Sequence, residues 1–439
     1  MAKRLLGVLL CLLLLPSCSY IPTGYTEELL SAPTVNDQQA KVRAALEATL
    51  NLSNIQYRYI QTGDYRSPFV FFELDGSGRR GAVVFYAYKG DPSNTAARAK
   101  VLRENDDGEW AQVFDISELG EQINFIQFSN LLDRDNKCMV IGWQNARGSP
   151  MMGIYSLSEY GVEKRELSCP YSFYLIDDFD DSGVEEILTI SWDVDADQLS
   201  LYLYGRGLGG RLEQLSRLAL AEDVEVLQMI AGRLRNGKAI YIDELLDGSI
   251  IATEIVSVSG GKLTPEVTEQ NGVLYSATFR EYEDQLSTDL EKDGVVEIPL
   301  YHALPGQSSN EEIENVPLTE YIRLGEEGFE TAYSGVYNDS DGYVLFFPDR
   351  WLGQVTVERQ PETREWRFLA LDPETKQPSD ELLRIRVYSA GDYRDKFAAD
   401  YKKLDERGQL EYHAYIPAAE GSFLAVSEQE IRRMFLPLR

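Results

Sequence analysis

The sequence is poor in the residues on which most enzymes and metal centres depend. Two histidines and four cysteines occur in 439 residues, too few for a histidine-rich metal centre or a disulfide framework. No G-x-S-x-G, H-E-x-x-H, C-x-x-C or phosphate-binding glycine loop is present, so the common nucleophilic, zinc-hydrolytic and nucleotide chemistries lack a motif. Positive charge is also short: 42 Lys and Arg face 72 Asp and Glu, for a formal charge of −30. Such a surface repels nucleic acid and anionic lipid head groups and attracts divalent cations. No apolar run is long enough to cross a bilayer as a helix.

What is present begins with a basic pair, Lys3 and Arg4, followed by the apolar run Leu5 to Leu15 and then Leu15-Pro16-Ser17-Cys18. This is the layout of an export signal, and the last four residues resemble a bacterial lipobox. The resemblance implies that residues 1–17 are removed and that Cys18 is acylated, anchoring the protein to the outer face of the cell membrane. An ordinary secretory signal with a chance cysteine is the alternative. A diacylglyceryl group carries the two chains that stable anchoring requires. Loss of Lys3 and Arg4, and of no acid, takes the formal charge from −30 to −32. Residues 18–50 then read as a lipidated tether and a short helix, with Asn36 as cap and Val42, Ala45, Leu46 and Leu50 on one face. Cys138, in the strand-like Cys138-Met-Val-Ile-Gly-Trp143, is expected to be a buried free thiol rather than a partner of Cys169.

From Ile55 the hydrophobic period changes to two, and a repeat appears. A glycine- or asparagine-bearing turn precedes a buried strand five times: at Gly78, Asn136, Gly183, Gly237 and Gly294, about 47 to 58 residues apart. These residues enter the left-handed backbone region without strain. Each turn is trailed by a hairpin, closed at Asp107-Gly108, Tyr160-Gly161, Gly209-Gly210, Gly260-Gly261 and Glu327-Gly328. Roughly four strands per unit of about 50 residues, five times over, is the arithmetic of a β-propeller. The expected fold is mainly β: a five-bladed β-propeller over residues 51–337, then a small α+β domain over 338–439. In that domain strands are expected up to Tyr388, helix over Tyr393–Leu404, a strand over Gln409–Ile416 and a helix capped by Ser427 with Glu430 three residues on. Its opening Tyr343…Phe347-Pro-Asp-Arg-Trp351 loosely resembles the PsbP-like fold.

The best turn is Asp178-Phe-Asp180-Asp-Ser182-Gly183-Val-Glu-Glu186. Oxygen-bearing side chains at alternate positions around a glycine bend converge on one point, as a calcium ion requires. The stretch resembles the FG-GAP/VCBS repeats of integrin-α-like propellers, whose loops run D-x-D-x-D-G-x-x-D and hold calcium. The resemblance implies Asp178, Asp180, Ser182 and Glu186 as ligands of one ion. Asp289, Glu291, Asp293 and Glu297 would hold a second. The other copies depart from it: Glu73, Asp75 and Ser77 lack a distal acid, Leu131 replaces the first acid of the second copy, and Arg233 and Arg235 crowd the fourth. All five could instead be ordinary solvated turns.

Catalysis has little to rest on. His302 is read as a loop residue and His413 as a packed strand residue, while Trp110, Trp143 and Trp192 are read as core. The chain looks like a lipoprotein of Gram-positive, Clostridia-like bacteria, a resemblance that carries no activity with it. The function expected is a non-enzymatic binding or scaffold module at the cell surface, stabilised by calcium, whose partner is an extracellular ligand or envelope protein. The alternative is a carbohydrate-active or other hydrolase using surface carboxylates.

Overall fold

A computed structural model describes residues 37–438 except 74–77, 91–95, 118, 136, 146, 159–160, 235–236, 282–284, 308–314, 390–399 and 418–421. Cys18 and the signal and tether lie outside the described residues. The described chain is mainly β, in six antiparallel sheets.

Five sheets follow one another along the chain. The first holds β1 (Ile55–Tyr57), β2 (Phe69–Glu73), β3 (Arg80–Tyr88), β4 (Arg98–Glu104) and β5 (Trp110–Ile116), with β1 and β2 both paired to β3. The second is β6 (Gln122–Ser129), β7 (Cys138–Gln144), β8 (Pro150–Ser158) and β9 (Gly161–Pro170), in that order. The third runs β10 (Phe173–Asp177), β11 (Glu186–Asp193), β12 (Gln198–Arg206), β13 (Leu212–Ala219). The fourth runs β14 (Val224–Leu234), β15 (Gly237–Leu246), β16 (Ile250–Ser259), β17 (Lys262–Val267), with β18 (Arg280–Glu281) added beside β16. Every four-strand path is a simple meander, which is why the predicted hairpins are found: each pairs neighbours in sequence through a short glycine turn.

The alternation seen in sequence is the packing plan. On β3, Val83 and Phe85 face the second sheet, against Ile123, Met139 and Ile141. Ala82, Val84 and Tyr86 face the other way, onto Val42 and Leu46 of helix α1 (Asp37–Glu47). The second and third sheets meet through Val140, Ile154 and Ile187. The third meets the fourth through Leu188, Leu203, Ile240 and Val256, and the fourth meets the fifth through Tyr241, Ile255 and Ile298. These sheets are thus apolar on both faces and are covered by their neighbours, or by α1 at the first sheet, each buried aliphatic side chain contributing about 1.5–3 kcal/mol. Among the described residues no core cluster joins the first sheet to the fifth.

The fifth sheet is β19 (Ile298–Ala303), β20 (Pro317–Leu324), β21 (Phe329–Asn338), β22 (Tyr343–Phe346) and, from the far end of the chain, β28 (Phe435–Pro437). The expected seam at Asn338–Gly342 is therefore the tight turn between β21 and β22, and the hydrogen-bonded sheet runs through it. β22 lays Tyr343 and Leu345 on the sixth sheet, built from β23 (Val355–Gln360), β24 (Glu365–Leu371), β25 (Pro378–Ser389), β26 (Lys402–Arg407) and β27 (Leu410–Tyr415). Trp351 is fully buried there, its indole N–H donating to Leu424 O at 2.8 Å. Helix α3 (Glu428–Met434) is capped as predicted, with Ser427 Oγ accepting from Glu430 N at 3.2 Å. The helix expected over Tyr393–Leu404 is corrected at its described end: Lys402–Leu404 belongs to β26, paired to β27. A single tyrosine- and lysine-rich strand with no clean alternation gives period-based reading little to work with.

Cys138 and Cys169 are buried free thiols, and burial pushes both up to about 12. His302 lies in β19 rather than in a loop, where its Nε2 sits 2.8 Å from Glu320 Oε2 across the strand pair. Trp110 and Trp143 are core, but Trp192 is 54% exposed at the end of β11.

Candidate metal centre

The turn between the first and second strand of a sheet recurs in register. Asp178–Glu185 joins β10 to β11, and Asp289–Val296 joins the Thr288–Glu297 bridge to β19. The two corners share one backbone. Asp181 and Lys292, three residues after the leading aspartate, have φ of 57° and 60°; Gly183 and Gly294, two further on, have 82° and 91°. They also share one hydrogen-bond network. Asp178 accepts from Ser182 N at 2.9 Å and Gly183 N at 2.7 Å, and Asp289 accepts from Asp293 N at 2.9 Å and Gly294 N at 2.8 Å. Glu186 accepts from Phe179 N at 3.0 Å, and Glu297 from Leu290 N at 3.1 Å. The leading aspartate is the inner frame of each loop, and the ninth-position glutamate ties its two ends.

Side-chain convergence separates the two corners. Asp178, Asp180 and Glu186 each bring a carboxylate oxygen within 4.8 Å of the others, and no other His, Cys, Asp or Glu trio among the described residues does so. Ser182 Oγ lies 3.2 Å from Val184 O on the same turn. In the second corner Glu291 turns aside to accept from the Tyr333 hydroxyl of β21. No three of Asp289, Glu291, Asp293 and Glu297 converge as the first corner does, and Asp293 accepts from Val295 N at 2.8 Å.

Both corners gather negative charge around a buried glutamate. Burial pushes Glu186 up to about 7, opposed by the Phe179 amide and reinforced by the charges of Asp180, Asp178 and Asp177. Glu297 rises to about 7 for the same reasons: burial first, the Leu290 amide opposing, then Asp293, Asp289 and Glu291. An all-oxygen donor set of carboxylates, a hydroxyl and a carbonyl is what calcium prefers. Asp178, Asp180, Ser182 and Glu186 therefore fit that ion, which would supply the positive charge their carboxylates lack.

Two arginines make contacts between sheets that the sequence reading does not assign. Arg134, from the corner of the second sheet, donates to Ser182 O of the third, and Arg233, at the end of β14, donates to Asp293 O of the fifth. Arg233 had been read as crowding its own turn; it reaches across to the next. The backbones also join, Glu185 N donating to Asn130 O at 2.9 Å and Arg233 N to Gly294 O at 2.6 Å. Each guanidinium lies over the corner glycine: a Cβ at Gly183 would sit 2.4 Å from Arg134 Nε, and one at Gly294 would sit 2.7 Å from Arg233 Nε. Gly183→Ala should therefore lower stability by about 1–2 kcal/mol, from the left-handed backbone and the displaced arginine together. Urea unfolding of the variant beside wild type checks this; an unchanged midpoint would count against the clamp.

Of the remaining corners, Glu73 is described, while Asp75 and Ser77 lie outside the described residues. Asp133 accepts from Asp135 N at 2.9 Å and turns the chain without a third acid nearby. A cleft of ≈ 540 Å³ opens beside the first strands of the first three sheets, lined by Tyr65, Phe72, Phe125, Phe128 and Tyr174 among others. Its rings stack on one another, Phe72 on Phe128 at 4.5 Å and Phe125 on Tyr174 at 4.2 Å, so one face of each of these four rings is already covered.

No family model matches the chain, and no curated sequence matches it. Among solved structures, a hypothetical protein from Leishmania major shares 12% identity over 70% of this chain and 98% of its own, with a TM-score of 0.20. MPT-4, a mannose phosphorylase from Leishmania mexicana in complex with phosphate ion, shares 10% identity over 75% of this chain and 88% of its own, with a TM-score of 0.15. A eukaryotic initiation factor shares 10% over 76% and 89%, with a TM-score of 0.18. Likenesses at these scores carry no argument about fold or function.

Proposed function

We propose that this is a lipid-anchored cell-surface protein, tethered through Cys18, whose stacked sheets form a rigid five-bladed propeller serving as a non-enzymatic binding or scaffold module. The partner is an extracellular ligand or an envelope protein, and calcium stabilises the acidic corners. Five successive antiparallel sheets, with matching corners at Asp178–Glu186 and Asp289–Glu297, support the blade reading. The Arg134–Ser182 and Arg233–Asp293 contacts support corners lying along one rim. Helix α1 covers the first blade's outer face. Among the described residues no helix is long and apolar enough to cross a membrane.

The observation that carries the calcium reading is the convergence of Asp178, Asp180 and Glu186 within 4.8 Å around a buried glutamate. Calorimetric titration of calcium into the chain lacking residues 1–18 should find a tighter site lost in Asp178→Asn and a weaker one lost in Asp289→Asn. No heat in wild type would end the reading. Protons compete for Glu186, held near 7. Calcium affinity should therefore rise as pH goes from 6 to 8, by at most about tenfold per unit below the carboxyl's own value. Affinity flat across that range would remove Glu186 from the ligand set.

A further inference from the structure

Asp243 and Glu244 are neighbours on β15 and so point to opposite faces of the fourth sheet. Thr253 and Glu254 do the same on the adjoining β16. The segment leading from the fourth sheet to the fifth wraps this end of the sheet and meets both faces. On one face Asp243 is matched by Arg280. On the other, Glu244 and Glu254 are 0% and 1% exposed, with no cationic side chain recorded against them.

That second face is covered by the 3₁₀ turn Glu269–Asn271 and helix α2 (Gly272–Ser276). Tyr275 of α2 donates its hydroxyl to Glu244 Oε2 at 3.2 Å, and Glu269 N donates to Glu254 Oε1 at 3.5 Å. The Ala221 amide, from the connection between the third and fourth sheets, also serves Glu254. Glu244 Oε1 and Glu254 Oε2 are buried with no hydrogen-bond partner among the described residues. The two glutamates lie on hydrogen-bonded strands, Glu244 opposite Ala252 and Glu254 opposite Ile242, so they share a face one pair apart. The ionisable groups facing them are each other, Glu269, Tyr275 and Asp243, and the last is already paired. Two bare carboxylates in a dry site cost many kcal/mol, whereas protonation removes that charge.

We infer that Glu244 and Glu254 are protonated carboxyls while the 269–276 flap is closed, and that loss of their protons frees the flap: a pH-sensitive latch on the rim of the fourth sheet. The O–H bond of each carboxyl breaks, the proton passes to solvent water, and no other bond changes. Burial, and then the charge of Glu254, raises Glu244 well above its ordinary value of 4.5, and burial takes Glu254 to about 7. Both shifts are upward on folding. The latch is thus fully closed below about 4.5, the value for an open flap, and weakens as pH rises through the folded value.

Hydrogen–deuterium exchange on the full chain tests this, following peptides across residues 268–280 from pH 5 to pH 8 after correction for intrinsic chemistry. In wild type the opening constant should rise by up to about tenfold per pH unit for each carboxyl that titrates and then level off. In Glu254→Gln one titrating carboxyl remains and the slope should fall, and in the Glu244→Gln, Glu254→Gln double variant it should vanish. Glu244→Gln replaces the single variant if Glu254→Gln does not fold. A flat profile in wild type, or an undiminished slope in either variant, overturns the inference. So does restoration of protection at pH 8 by added calcium or potassium, which would make the pair a cation site instead.

Discussion

Replacing Arg280 by methionine is expected to cost about 3–5 kcal/mol of unfolding free energy, most of the stability of an ordinary domain. Arg280 and Asp243 are both 0% exposed at the side chain, with Nη2 and Oδ1 2.9 Å apart. The pair carries further hydrogen bonds, although Arg280 Nε is buried with no partner among the described residues. Asp243 also accepts from Thr253 Oγ1 at 2.6 Å, Ser287 Oγ at 2.7 Å and Ser287 N at 2.7 Å. Arg280 also donates to Thr253 Oγ1 at 2.9 Å and to Thr278 O at 3.1 Å. Removing the guanidinium strands a carboxylate in a dry site, and it is this stranding that makes the loss large. Adding Asp243→Asn should recover much of the loss, because asparagine keeps an acceptor without the charge. Urea unfolding of the single and double variants at pH 7 reads both effects. A loss below about 1 kcal/mol, the range of exposed pairs, would mean that water reaches the site.

Calcium at a hundred times its dissociation constant should stabilise wild type by about 2.7 kcal/mol for each site it fills. Asp178→Asn should lose the larger part of that gain and Asp289→Asn the smaller, since Glu291 is held by Tyr333. Without calcium the order reverses in sense. Glu186 and Glu297 are both raised to about 7, above the 4.5 of an unfolded chain. Their contribution is complete below 4.5 and falls away as pH climbs through 7. The calcium-free protein should therefore melt earlier at pH 8 than at pH 5.5, and calcium should close the gap. Thermal melts at the two pH values, with calcium and with chelator, give all four numbers. Equal melting with and without calcium at pH 8 would remove the ion from the account.

Much of the architecture could be read before any coordinates. The five corners, the hairpins that follow them, α1 and the Ser427 cap are local matters. They depend on two-residue alternation, on glycines that tolerate positive φ, and on a side-chain oxygen within three residues of an amide. The acidic corner at Asp178 was legible for the same reason, since its four oxygen-bearing side chains lie within nine consecutive positions. Arg134 and Arg233 were not, because their partners lie 48 and 60 residues away. Trp192 gave the opposite error. Strand spacing put it in the core, while its place at the end of β11 leaves it in solvent.

The sequence by itself determined which segments become strands, where they turn and which corners carry enough oxygen for a cation, since backbone geometry and side-chain alternation act over a few residues. Only the tertiary structure decided what each sheet face meets. It set α1 on the first sheet and carried β28 back to the fifth. It also took Asp243, Glu244 and Glu254, which look like any polar strand end, and buried them under the segment that follows. Burial depends on residues distant in sequence, and it is burial that turns a common acid into a paired charge or one that keeps its proton.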